Sequence, residues 1–501
     1  MKNPAFIHIP HSIFYKTIFL LGVIAFMGIN SQQMFALGSS NSKDHATQPN
    51  ILFIAIDDLR PELGCYGAEH IISPNIDKLA REGIVFDRAY CQMAISMASR
   101  KSIMSAYRPT AENNLHDRGP LINNIPDALT LDQHLLNNGY ETVTIGKIYH
   151  DDEDENGWAQ NYRSVSGDWG SRGYTLKSSL DIEYARKPLG KKGPPYESAD
   201  VSDNGYQTGV YAQKAIEVLR NKQDKPLFLA LGFRKPHLPF NAPKKYWDMY
   251  DPKKIELANY SHPPEGASEY NRTRYGELRN YYGMAEEGSV PESDARKLAH
   301  GYYACISYVD AQLGKVLNEL EELGYADDTI IILWSDHGWK LGDYGWWCKH
   351  TANEIDTRVP LIIKSPYAKG NGQRSTALVE LIDLYPTLCD LTNIATTKKK
   401  EGISITALLD EPDRDWKKAA FSIWVDKNPK NIGYTLRSED YRYTEWRDIK
   451  TGNLLDRELY DLTEGSLPNK NLARVKLHQA RLGEFSKIME GGYKAALPDS
   501  L

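Results

Sequence analysis

The 501 residues are 25% charged and 41% hydrophobic, with a formal charge of −6 at pH 7. That length can bury a sizeable core and allows two or three domains at roughly 100–200 residues each. The mild acidity lacks the basic excess of a nucleic-acid binder, and five widely spaced cysteines form neither a disulfide framework nor a CxxC metal pair.

The first element reads as a signal peptide over residues 1–38. Lys2 and Lys16 lead into the run "TIFLLGVIAFMGI", Thr17–Ile29, which is followed by the polar "NSQQMFALGSSNS". The run is shorter than the about 20 residues of a spanning helix. The expected product is therefore an exported protein, in the periplasm, at the cell surface or secreted, without stable membrane insertion.

Downstream, short apolar runs bounded by turn residues predict buried strands. They are "NILFIAI" after Pro49, "YETVTIGK" (Tyr140–Lys147), "PLFLALGF" (Pro226–Phe233), "TIIILWSDHG" (Thr329–Gly338) and "VPLIIKSP" (Val359–Pro366). Helical patterns lie between them. "PNIDKLAREG" opens on Pro74 and stops at Gly83. Ile306, Val309, Leu313, Val316, Leu317 and Leu320 fall on one helical stripe. Alternating strands and helices predict an α/β class, a large and mostly parallel sheet flanked by helices. Residues 161–209 and 262–292 lack periodicity and read as long functional loops. The run Lys398–Lys400 reads as a solvated linker. Beyond it, "GYTLRSEDYRYTEWRD" and "RELYDLTEG" are strand-like. The expected division is a large domain over 39–395 and a smaller α+β subdomain over 396–501.

The chemistry-bearing residues cluster just past predicted strands, where open parallel sheets form their ligand crevice. Asp57 and Asp58 end the first strand; Asp336 and His337 end "IIILWS". Adjacent acids there are costly to desolvate unless a cation joins them, and carboxylates suit calcium or magnesium. Either pair alone reads as helix capping; the two pairs together read as a metal site. Arg100, Lys147, His150, His237 and Lys349 form a second, cationic or proton-bearing set. Such a set beside a metal suits a tetrahedral anion, sulfate or phosphate.

One stretch is more specific. "SMASRKSIMSAYRP" resembles the sulfatase signature, in which Cys or Ser is followed by any residue, Pro or Ala, Ser and Arg. Ser96, Ala98, Ser99 and Arg100 fit that register, whereas Cys91 is followed by Met93 and Ala94 in the wrong places. The similarity continues through "ILFIAIDDLRPELGCYG", "GKIYH", "RKPHLPF", "SDHGWKLGDYGWWCKH" and "VELIDLYPTLCDL", in order over most of residues 50–473. The chain thus resembles the type I sulfatases, and most of all their iduronate-2-sulfatase branch.

The resemblance implies an alkaline-phosphatase-like fold and an enzyme, a sulfuric ester hydrolase. It further implies one calcium ion and a formylglycine (3-oxoalanine) made from Ser96 as nucleophile. Asp57, Asp58, Asp336 and His337, with residue 96, would surround the calcium. Arg100, Lys147, His150, His237 and Lys349 would hold the sulfate and handle protons, with His237 as general acid and His150 as base. Serine at position 96, where cysteine is more familiar, implies a radical-SAM maturating enzyme as a transient partner. Ala106 stands where the signature usually has glycine, and reads as a tolerated packing position at the start of a helix. The implied substrate is a sulfate ester on a sulfated polysaccharide or its oligosaccharides, with O2 of a uronic acid as the branch's position. Ulvan, other algal polysaccharides and glycosaminoglycans are the candidate polymers. Two alternatives stay open: a phosphodiesterase or phosphonate hydrolase of the same superfamily, and a non-catalytic glycan-binding relative.

Overall fold

Seven consecutive buried residues, Asn50–Ile56 (β1), form the central strand, and their alternation divides the core in two. Leu52, Ile54 and Ile56 enter one apolar layer, while Ile51, Phe53 and Ala55 enter the other. A strand covered on both faces has little place for polar residues, which is why β1 reads as an apolar run from Ile51 to Ile56 after the hydrogen-bonded Asn50. The computed structural model describes residues 48–498 apart from 151–154, 166, 168, 398 and 426–429. The expected signal peptide therefore lies outside the described residues. Among those described, no helix is long and apolar enough to cross a membrane.

The other strands of the main sheet are Ile84–Tyr90 (β2), Glu141–Gly146 (β3), Gln160–Tyr162 (β4), Leu227–Phe233 (β5), Thr329–Ser335 (β6), Arg358–Lys364 (β7) and Arg374–Glu380 (β8). Their order is β8-β2-β7-β6-β1-β5-β3-β4. β1 runs parallel to β5 and β6, β3 parallel to β5 and β4, and β8 parallel to β2. Only β7 is reversed, antiparallel to both β2 and β6. The C-terminal ends of β1, β2, β3, β5 and β6 therefore share one edge.

Helices cover both faces. The 31-residue helix Glu292–Glu322 buries Ile306, Val309, Leu313, Val316, Leu317 and Leu320, the predicted stripe, against the first layer. Pro74–Glu82 is helical, with Gly83 as its cap, as the sequence indicates. A second, antiparallel sheet follows the main one: Ala420–Val425, Asn431–Arg437, Tyr441–Asp448 and Leu454–Asp461, in that order.

The structure departs from the sequence reading in three places. The stretch 161–209 contains the helix Lys177–Arg186, whose only buried residues are Ser179 and Glu183, so no apolar period announces it. Lys400 is not a solvated linker residue. Its ammonium donates to the Ser105 and Leu129 carbonyls at 2.8 and 2.9 Å and lies over the Tyr385 ring, and burial pulls its pKa down to about 8. Ala106 sits at the C-terminal end of a helix, not its start. It caps Ser96–Ser105 (α1) in the left-handed region at φ 55°, where glycine is the usual occupant.

Candidate active site

Strand ends supply the site. Asp57 and Asp58 follow β1, Lys147 follows β3, His237 follows β5, and Asp336 and His337 follow β6. Ser96 opens α1 a few residues after β2, and Lys349 follows the short hairpin strands Lys340–Leu341 and Trp347–Cys348. The backbone is strained where it presents these groups. Asp58 (φ 62°) and the two neighbours of Lys349, Cys348 (φ 66°) and His350 (φ 81°), are left-handed without being glycine. Such residues cost about 1–3 kcal/mol each and persist only where the surroundings hold them. Around Asp58 those surroundings are explicit: Tyr302 Oη donates to its carbonyl at 2.7 Å, and its own N–H donates to Asp336 Oδ1 at 3.1 Å.

Three buried carboxylates and three buried cations interlock here. Arg100 Nε donates to Asp336 Oδ2 and a terminal nitrogen to Asp57 Oδ1, both at 2.9 Å. Lys147 Nζ donates to both oxygens of Asp57, at 2.9 and 2.7 Å. Lys349 Nζ donates to Asp58 Oδ1 at 2.7 Å. Burial alone would raise the Asp57 carboxyl, but Lys147 and Arg100 outweigh it and hold it well below the usual carboxylate range. Burial likewise opposes the charge on Lys349, and the carboxylates of Asp58 and Glu277 more than restore it.

Both histidines are oriented by carbonyls. His337 Nδ1 donates to Gly338 O at 2.9 Å, which leaves Nε2 facing Ser96 Oγ at 3.0 Å, with Asp58 Oδ1 at 3.4 Å and Asp336 Oδ2 at 3.6 Å. His237 Nδ1 donates to Leu238 O, so its Nε2 faces the site carboxylates, 3.8 Å from Asp58 Oδ2. Among the described residues, that same Asp58 Oδ2 is buried without a hydrogen-bond partner. The ligand atoms of Asp58, Asp336 and His337 all lie within 4.8 Å of one another, as do those of Asp57, Asp58 and His237. An orphaned carboxylate oxygen, further acids and an imidazole whose second nitrogen is fixed by a carbonyl are a donor set that fits a metal ion.

Asp57, Asp58, Ser96, Lys147, His237, Asp336, His337 and Lys349 thus come together, and Arg100 joins them with a change of place. Arg100 is fully buried, and its remaining donors go to the Lys147 and Ile148 carbonyls at 2.6 and 2.9 Å. It ties carboxylates together; it does not reach out to an anion. His150 lies half-buried three residues beyond Lys147. Cys91 is a buried thiol whose pKa burial pushes upward, and all five cysteines are free. The sequence reading missed Glu277. Its carboxylate lies 3.2 Å from His237 Nε2 and 3.4 Å from Lys349 Nζ, and it comes from the 262–292 segment that lacks any periodic signal.

The family model "Sulfatase" matches residues 49–394, spanning the whole site. The chain belongs to the sulfatase family. A second model, "N-sulphoglucosamine sulphohydrolase, C-terminal", matches residues 342–485. Among known proteins, this sulfatase is 30% identical to iduronate 2-sulfatase of Mus musculus, over 88% of this chain and 94% of that protein. It is 25% identical to an ulvan-active sulfatase of Formosa agariphila, over 91% and 88% of the two chains. Among solved structures, the phosphonate monoester hydrolase of Silicibacter pomeroyi superposes with a TM-score of 0.73 at 22% identity, covering 91% of this chain and 97% of that one. That likeness establishes the alkaline-phosphatase-like fold, and the family assignment makes the enzyme a sulfuric ester hydrolase.

Proposed function

We propose that this sulfatase hydrolyses sulfate esters on sugar units of a sulfated polysaccharide or its oligosaccharides, through a formylglycine made from Ser96. The observation that carries the reading is the meeting of Ser96 Oγ, His337 Nε2 and buried carboxylates beside the ammonium groups of Lys147 and Lys349. Asp57, Asp58, Asp336 and His337, with residue 96, would hold one calcium ion, whose positive charge offsets the carboxylates and polarises oxygen ligands.

Hydrated formylglycine carries two hydroxyls on one carbon. One hydroxyl gives its proton to a nearby base among the site carboxylates as its oxygen bonds to sulfur and the ester S–O bond breaks, and the departing sugar oxygen takes a proton from His237 Nε2. The second hydroxyl then gives up its proton, with His150 as the base; the carbonyl re-forms, the carbon–oxygen bond to sulfate breaks and sulfate leaves. Unmodified serine has one oxygen and could not expel the sulfate in this way. Lys147 and Lys349 stabilise charge on the transferred group, and Arg100 keeps the carboxylates in register.

The likeness to mouse iduronate 2-sulfatase supports a uronic acid sulfated at O2 as the substrate class, and the likeness to an ulvan-active enzyme supports a polysaccharide as its source. Serine at position 96 makes a radical-SAM maturase the transient partner, and residues 1–38 direct the protein to the periplasm. Residues 39–395 are taken as the catalytic domain and 396–501 as the subdomain.

Mass spectrometry of the tryptic peptide Ala89–Arg100, after expression with a serine-type maturase, tests the reading. Loss of two hydrogens at Ser96, together with loss of turnover in Ser96→Ala at an unchanged melting temperature, is expected. An unmodified Ser96 beside a converted control sulfatase, or an active Ser96→Ala, would refute it.

A further inference from the structure

Glu277 stands on the one-turn helix Gly276–Arg279, and its side chain is only 16% exposed. Its Oε1 lies 3.2 Å from His237 Nε2 and 3.6 Å from Lys192 Nζ, and its Oε2 lies 3.4 Å from Lys349 Nζ. Basic side chains from three separate segments therefore meet on one carboxylate, and Lys192 belongs to the other long segment, 161–209. Burial would raise the Glu277 carboxyl; Lys349 and His237 overcome that and hold it well below the usual range.

The surrounding segment is built to keep Glu277 there. Ser268 N donates to Glu458 Oε1 at 3.0 Å, and Asn271 Nδ2 donates to Glu458 Oε2 at 3.0 Å and to Asn353 Oδ1 at 2.8 Å. Arg279 donates to the Arg274, Ala285 and Gly288 carbonyls, closing the loop on itself. Tyr275, just ahead of the helix, is left-handed at φ 37°. Strain and anchoring on both sides of one acid mark a required position.

We infer that Glu277 is a positioning residue of the sulfate pocket. It fixes the His237 ring and the Lys349 ammonium on the substrate side, and it cancels one positive charge so that product sulfate is released. The inference rests on the sulfatase reading above. A pocket with one more uncompensated cation would hold substrate and product alike, which slows release without favouring the transition state.

The test uses the matured, calcium-loaded protein and its Glu277→Gln and Glu277→Asp variants. Isothermal titration with sodium sulfate at constant ionic strength gives affinity, 4-nitrophenyl sulfate gives kcat, and thermal melting reports folding. A unit charge about 6 Å from doubly charged sulfate, screened at a dielectric of about 80, corresponds to roughly tenfold in affinity. Glu277→Gln should therefore bind sulfate about tenfold more tightly, while kcat falls about tenfold as the His237 ring and the Lys349 ammonium lose their anchor. Glu277→Asp should return sulfate affinity to near the wild-type value and recover part of kcat. Unchanged kcat, or sulfate affinity that is unchanged or weaker in Glu277→Gln, overturns the inference; weaker binding with a lower melting temperature is what a plain structural strut would give. Absence of wild-type turnover would count against the hydrolytic reading, whereas the sulfate titration still decides the role of Glu277.

Discussion

Replacing Arg100 with methionine removes the guanidinium shared by Asp57 and Asp336 while keeping side-chain length. All three side chains are essentially inaccessible, at 0–2% exposure. Breaking a buried pair by removing one partner costs about 3–5 kcal/mol, because it leaves charge uncompensated in a poorly solvated place. A unit of roughly 450 folded residues melts with an entropy near 2.1 cal/mol/K per residue, about 1 kcal/mol/K in all. The melting temperature of Arg100→Met in EDTA should therefore fall by about 3–5 °C. Calcium then provides a second arm. With Arg100 gone, the buried carboxylates lose one of the cations that oppose them, so the site is more negative and binds the ion more tightly. The calcium-induced rise in melting temperature should be larger in the variant than in the parent, by mass action on the folded state. Differential scanning calorimetry with and without calcium measures both. A drop below about 1 °C in EDTA would mean that the pairs contribute little. Equal calcium shifts in the two proteins would refute the coupling between Arg100 and a cation bound by these acids.

Ala106→Gly exchanges a left-handed alanine, costing about 1–2 kcal/mol, for a glycine that gives up about 0.5–1 kcal/mol of chain entropy and a buried methyl of about 0.8 kcal/mol. The terms nearly cancel, so the melting temperature should stay within about 2 °C, and a fall beyond about 4 °C would show that this methyl is required for packing. Glu354 ties the two sheets together, accepting from Tyr90 Oη at 2.8 Å and from Arg442 at 2.7 Å, with Arg437 at 3.2 Å. Burial would raise its carboxyl, but Arg437 and Arg442 bring it from 4.5 to about 2. That stabilisation is complete above the unfolded value and is lost as pH falls towards the folded one. The stability gap between wild type and Glu354→Gln, measured by urea unfolding, should thus narrow by about 2 kcal/mol from pH 5 to pH 3; a constant gap would refute the assignment.

The central strands were legible because burial on both faces forbids polar residues, so acids immediately after β1 and β6 stand out against their context. β2 was not legible, since "IVFDRAY" carries Asp87 and Arg88 in its middle. Their partners lie on the neighbouring strand, where Arg374 pairs with Asp87 and Thr376 O accepts from Arg88. An ion pair between strands removes the apolar signal from both. The position of Ala106 shows the same limit from the backbone side. The sequence marks an unusual residue there, but only the φ of 55° explains why glycine is the common choice.

Charge type alone also cannot say which way a cation faces. Five basic or proton-bearing residues were readable as an anion-binding set, but burial divides them. Arg100 is wholly enclosed and spends its donors on two carboxylates and two carbonyls, so its work is to hold acids of like charge side by side. His237, at 20% exposure, keeps one nitrogen directed at Glu277 and Asp58. Lys349, though nearly enclosed, shares that edge through Glu277. The acid that joins them carries no local signature, because its partners are 40 or more residues away and none lies on its own helix. Residues that touch the reacting group recur in recognisable motifs, whereas a residue that positions them is defined by the contacts that bring it there, and those exist only once the long loops have folded onto the sheet edge.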